Sequence, residues 1–144
     1  MDKPRKHILI VEDEEPLARL IKERLETQGY EVTTEIHGKA ALAFAADHRL
    51  DLAILDINLP DVNGFDVARE LRRLYHPWVL PILMLTIKDK PIDQLRGFAN
   101  GADAYMTKPF DSQELLHTVA LLTGEPALKG GAAEEGMDDG TLSI

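Results

Sequence analysis

HILIV at residues 7–11, followed at once by EDEE at 12–15, is the stretch on which the fold turns. A short β-branched run of this kind suits a strand buried on both faces, the way strands of a parallel sheet read. The abrupt change to four acids marks its carboxyl end, where the chain leaves the sheet. Pro16 then sits where the first helical turn tolerates a missing N–H, and Leu17, Leu20, Ile21 and Leu25 recur at helical spacing up to a stop at Gly29.

The same unit repeats along the chain. Tyr30–Thr34 reads as a more polar strand suited to a sheet edge, and Lys39–Asp47 as an alanine-rich helix. Leu52–Leu55 is a third strand, followed by a loop of Pro, Asp, Asn and Gly and a helix over Phe65–Arg73. Pro81–Leu85 is the fourth strand, and a weaker helix runs from about Pro91 to Asn100 with Leu95 and Phe98 on one face. A short strand at Ala104–Met106 precedes a helix over Ser112–Leu122 with Leu115, Leu116, Val119 and Leu122 inward. Five βα units with crossover-length helices predict an α/β fold, a flavodoxin-like doubly wound (βα)5 parallel sheet with helices on both faces. The expected strand order is 2-1-3-4-5.

Bulk properties fit that reading. A chain of 144 residues holds one well-buried core and is short for two ordinary domains, so residues 1–124 are expected to form one domain. Residues 125–144, rich in Gly, Ala and acids and without an apolar period, read as a flexible acidic tail or linker remnant. The absence of cysteine excludes disulfides, thiolate catalysis and cysteine-ligated zinc. No apolar run approaches a membrane span, and a net charge of -9 argues against nonspecific attraction to nucleic acid or to an anionic membrane. The expectation is a cytoplasmic protein with no direct nucleic-acid binding and no membrane association. The five histidines show no HExxH or paired ligand spacing, and Trp78 beside Pro77 reads as packing in a long connection.

Ligands of open α/β sheets bind outside the carboxyl ends of the strands. There the first strand ends in Glu12 and Asp13, the third in Asp56, the fourth in Thr86, and the fifth in Thr107 and Lys108 before Pro109. Carboxylates gathered so closely need a cation. Magnesium fits, since it accepts one or two carboxylates and keeps several waters, and manganese would use similar ligands. Asp56 is the candidate nucleophile, able to form an acyl phosphate, with Lys108 and Thr86 available to the oxygens of a transferred phosphoryl group.

This constellation resembles the receiver (response regulator) domains of two-component signal transduction systems, over roughly residues 6–123. Four pieces carry the resemblance: ILIVEDE at 8–14, LAILDINLPDVNGFD at 52–66, PILMLT at 81–86 and GADAYMTKPF at 101–110. It implies that Asp56 takes a phosphoryl group from a phosphohistidine on a sensor histidine kinase or phosphotransfer protein. Asp13, Asp56 and the backbone carbonyl of Asn58 would hold magnesium, with Glu12 acting mostly through a bound water. Thr86 and Tyr105 would act as a switch pair, and a downstream protein or output domain would read the change. The resemblance also implies docking or homodimerisation through the fourth helix, fifth strand and fifth helix. Such a chain catalyses its own phosphorylation and dephosphorylation without turning over a separate substrate.

Two positions depart from the family pattern. Ile87 stands where a small residue is usual, and Lys88 with Asn58 occupies the pair expected to tune the lifetime of the acyl phosphate. Other functions fit less well. A phosphohydrolase would want a second acid close after the nucleophile, where Asn58 and Pro60 stand. Nucleotide binding would want a glycine cradle in place of EDEE. A phosphorylation-independent docking module is the remaining alternative, disfavoured because Glu12, Asp13, Asp56, Thr86 and Lys108 are all present.

Overall fold

The computed structural model describes residues 5–75, 79–88 and 90–124. The expected tail over 125–144 and the connection holding Trp78 lie outside these. Five strands alternate with five helices: β1 His7–Val11, α1 Glu15–Glu26, β2 Glu31–Glu35, α2 Gly38–Asp47, β3 Leu52–Leu55, α3 Gly64–Leu74, β4 Ile82–Thr86, α4 Pro91–Ala99, β5 Ala104–Thr107 and α5 Ser112–Thr123. All strand pairs are parallel and the order is β2-β1-β3-β4-β5, with β2 and β5 at the edges. The fold is the flavodoxin-like (βα)5 sheet with helices on both faces. Compactness divides the chain after Phe110, so that β1 to β5 with α1 to α4 form one unit and α5 begins a second.

Because side chains alternate across a strand, each central strand serves two cores at once. Leu9, Val11, Ala53, Leu55, Ile82 and Met84 share one apolar cluster with residues of α2 and α3. Ile8, Ile10, Leu52 and Ile54 are equally dry on the opposite face, where α1 covers β1 and β2. Each Leu or Ile buried this completely stabilises the fold by about 2 kcal/mol. The inward stripe of α1 is Ala18, Ile21 and Leu25, whereas Leu20 is turned outward. Positions 18, 21 and 25 share one helical face, and position 20 lies about 100° from its neighbour 21 on the helix. In α4 the apolar positions Leu95 and Phe98 are also exposed, and only Gly97 is buried.

Two polar devices fasten the loops. Arg72 of α3 donates to the carbonyls of Leu80 and Gly101 and pairs with Asp103, which accepts in turn from the Ile82 N–H. At the start of α2, His37 makes no side-chain cap. The carboxylate of Asp61, from the loop after β3, replaces it, accepting from the Gly38 N–H at 2.8 Å and the Lys39 N–H at 3.0 Å. A carboxylate at a helix N-terminus satisfies donors that have no partner within the helix and meets the positive end of the dipole.

These two bonds, that to Lys39 foremost, hold the Asp61 carboxyl below the ordinary aspartate range. A depressed folded value means that its contribution is complete above the unfolded pKa and is lost as pH falls through the folded one. Asp61→Ala is therefore expected to lower the urea midpoint at neutral pH. The gap to the parent chain should close in strongly acidic buffer, and a gap independent of pH would show that the carboxylate charge is not the source.

Candidate functional site

The parallel register sets the site. Val11 pairs with Leu55 across β1 and β3, so Glu12 and Asp56 step out of the sheet at one level. The ladder runs one rung further on each side: the Asp56 N–H donates to the Val11 carbonyl at 3.0 Å, and the Lys108 N–H donates to the Thr86 carbonyl at 2.9 Å. Backbone hydrogen bonds thus fix the origins of Asp56 and Lys108, leaving only the side chains to be arranged.

Beneath Asp56 the loop to α3 folds back tightly. A Cβ on Gly64 would lie 2.0 Å from the Asp56 carbonyl oxygen and 2.7 Å from the Ile57 Cα. Only glycine fits, and the reason is close approach of two backbones rather than an unusual dihedral. Asn63 caps α3 by accepting from the Phe65 N–H at 2.7 Å, and Asn58 bridges to Asn63 across the loop.

On this platform the side chains of Glu12, Asp13 and Asp56 bring carboxylate oxygens within 4.8 Å of one another. Glu12 and Asp56 are buried and Asp13 is exposed. The ammonium of Lys108 lies 2.7 Å from Glu12, 3.2 Å from Asp56 and 3.6 Å from the exposed Glu14. Its side chain is only 11% exposed, so Lys108 is no surface lysine.

The electrostatics follow from burial. Desolvation pushes the Glu12 carboxyl above its ordinary range; the hydrogen bonds from Lys108 and from the Glu14 N–H oppose the rise and the Asp56 charge adds to it. Burial works against the Lys108 ammonium, but the bond to Glu12 and the charge of Asp56 outweigh it and raise its proton affinity. One lysine thus faces three acids, and the donor set is all oxygen. That is the chemistry a hard divalent cation fits, with room for waters on the side of exposed Asp13.

The remaining candidates flank this cluster. Thr86 is wholly buried, and the Lys88 N–H lies 3.5 Å from its hydroxyl oxygen. The Asn58 N–H stands 3.4 Å from Asp56 Oδ1, with its side chain exposed. Tyr105, half-buried, donates its hydroxyl to the Lys88 carbonyl at 2.6 Å. Ile87 is 66% exposed and adds no apolar cover. Phe110, at the end of the GADAYMTKPF piece, is half-buried. Sequence reasoning placed Lys108 at the rim but missed its direct bond to Glu12 and the proximity of Glu14. Only the length of the EDEE run hinted at a surplus of negative charge.

Removing a buried charge strands its partners. In EDTA, Lys108→Met should cost about 3 kcal/mol of unfolding free energy, because Glu12 and Asp56 lose their cation. Adding Glu12→Gln to that variant should restore at least about 1 kcal/mol. Urea titration of the four proteins measures the coupling, and simple additivity would refute the shared ion pair.

With the geometry in place, comparison with known proteins gives a consistent answer. Residues 8–120 match the family described as the response regulator receiver domain. A curated relative, the alkaline phosphatase synthesis transcriptional regulatory protein PhoP of Bacillus subtilis (strain 168), is 38% identical over 134 residues, covering 93% of this chain and 55% of the relative. The chain spans about half the length of the curated relatives it matches. Among solved structures, a CheY-like receiver domain protein from Methanospirillum hungatei JF-1 is 30% identical with a TM-score of 0.79, covering 84% of this chain and 95% of that one. The receiver domain of a sensor histidine kinase from Pseudomonas aeruginosa PAO1, with magnesium coordinated in its active site cleft, is also 30% identical, with a TM-score of 0.76 over 85% of this chain and 100% of that one. By sequence, fold and the acidic cluster at its strand ends, the chain belongs to the response regulator receiver domain family.

Proposed function

We propose that this chain is a phosphoacceptor receiver in which Asp56 takes a phosphoryl group and passes the event to a protein-interaction surface. The observation that carries the reading is the meeting of Glu12, Asp13 and Asp56 within 4.8 Å, with Lys108 bonded to two of them. A structural ion pair needs one acid per base. Three carboxylates at a sheet's ligand-binding edge suit a cation and an incoming anion.

Asp13 and Asp56, with the Asn58 carbonyl, would hold magnesium, and Glu12 would support it from the buried side. When bound, the ion supplies positive charge to a transferring phosphoryl group. The chain's own residues supply the rest. An Asp56 carboxylate oxygen attacks phosphorus in line, the P–N bond of the donor phosphohistidine breaks, and the imidazole nitrogen keeps the electron pair and takes a proton. Lys108 turns from Asp56 to donate to one phosphoryl oxygen, and the Thr86 hydroxyl donates to another. Such preorganised donors lower the barrier because they need no reorientation as charge develops.

Upstream, the partner is a sensor histidine kinase or a phosphotransfer protein; downstream, it is a protein or output domain that distinguishes the two states. Thr86 and Tyr105 are the residues through which the state would be reported. The backbone of Lys88 lies between them, its N–H near the Thr86 hydroxyl and its carbonyl bonded to Tyr105. Asn58, whose N–H stands near Asp56, and Ile87 and Lys88, which directly follow Thr86, would set the lifetime of the acyl phosphate.

Incubation with magnesium and acetyl phosphate, followed by intact mass, tests the proposal. One phosphate-sized gain is expected, abolished by EDTA and in Asp56→Asn. No gain under conditions that modify an established receiver would overturn it in favour of docking without phosphorylation.

A further inference from the structure

Helix α4 is the least buried of the helices. Gly97 is its one buried residue, and a Cβ there would stand 3.0 Å from the Tyr105 ring. The helix is therefore seated on β5 by the lack of a side chain, not by an apolar one. Ile92, Leu95 and Phe98 are 59%, 64% and 47% exposed. Apolar cohesion scales with the area removed from water, so little of it holds α4 in place.

Beside that seat on β5, where the Phe98 and Tyr105 rings also lie 6.5 Å apart, α4 is held by polar and cation–π contacts from α3. The Arg96 guanidinium lies 4.8 Å from the centroid of the Phe65 ring. Arg69 donates to Asn100 Oδ1 at 2.9 Å, and the Asn100 side chain donates back to the Arg96 carbonyl at 2.8 Å. Asp66 steadies Arg69 through its second guanidinium nitrogen at 2.5 Å. The first turns of α3 thus grip the last turn of α4. Phe65 is buried and directly follows Gly64, the residue folded against the Asp56 carbonyl.

We propose that this arginine clasp is the latch that fixes α4 against α3, and that its opening frees α4 while the sheet and the other helices of the unit stay folded. A cation–π pair whose cation is exposed, though its ring is buried, and surface hydrogen bonds are individually weak, so the latch belongs to the low end of the opening energies of a folded protein. The link from Asp56 to the clasp, through Gly64 and Phe65, rests on the phosphoacceptor reading above; the latch itself does not.

Hydrogen exchange read by mass spectrometry on the full chain tests it. In EDTA, Arg96→Gln and Arg69→Gln should each speed exchange of the α4 amides about fivefold, the change in opening equilibrium that loss of one such contact gives. The double variant should exchange faster still, with β3 and α3 unchanged. Arg96→Lys, which keeps a cation over the ring, should recover part of the protection. Parental α4 rates in the double variant would overturn the latch, as would equal acceleration throughout the sheet. Magnesium and acetyl phosphate are then added to the parent and to Arg96→Gln, with the mass gain confirmed. Faster α4 exchange in the parent, approaching the Arg96→Gln rate, supports the link to Asp56, and phosphate gain with unchanged α4 exchange refutes it. Absence of any mass gain overturns the function proposed above, while the EDTA comparison still decides the latch.

Discussion

One ammonium group governs the rim of this sheet. Lys108 is the cation within reach of two buried carboxylates, Glu12 and Asp56, and it is held there by both. Ion pairs of this kind are poor sources of net stability, because desolvation of each partner cancels much of their attraction. Their presence is better explained by what the arrangement can exchange. A lysine shared among acids can transfer its hydrogen bonds to an incoming anion without leaving its place. An acid whose ionisation burial resists, as with Glu12, is relieved when further positive charge arrives.

That arrangement depends on the backbone below it. Parallel register carries Glu12 and Asp56 to one level, and the last ladder bond from Lys108 to Thr86 brings the fourth and fifth strands to the same rim. The loop after β3 then does two jobs. Gly64 lets it fold under Asp56, and Asp61, three residues earlier, reaches out to cap α2. A single short loop therefore supports the candidate nucleophile and fastens a neighbouring helix, which leaves few of its positions free to vary independently.

This division of labour explains what the sequence made legible. Strands announced themselves because buried parallel strands are apolar without interruption and stop at charge, and Leu52–Leu55 matches residue for residue. The acids, Thr86 and Lys108 were readable because each directly follows such a run. Long-range polar contacts were not. Nothing near Gly38 announces that its cap comes from Asp61, and nothing near Glu12 names Lys108, 96 residues away, as its partner. Periodicity also misled where apolar residues are exposed. Leu20 in α1 recurs at helical spacing and Leu95 and Phe98 in α4 share one face, yet all three are exposed, because burial is decided by the neighbouring surface and not by periodicity.

The contrast between α4 and the core has a further consequence. Apolar burial in the sheet carries no charge of its own, and Leu9, Leu55 and Met84 are wholly buried in one apolar cluster. Contacts made of guanidinium, amide and aromatic face respond to small displacements and to electric field, and they can be exchanged one for another at little cost. A helix fastened in that manner can change position while the fold beneath it keeps its stability. Separating the two kinds of cohesion, dry for the sheet and largely polar for α4, would give one chain both a rigid place for the proposed chemistry at Asp56 and a surface free to answer it.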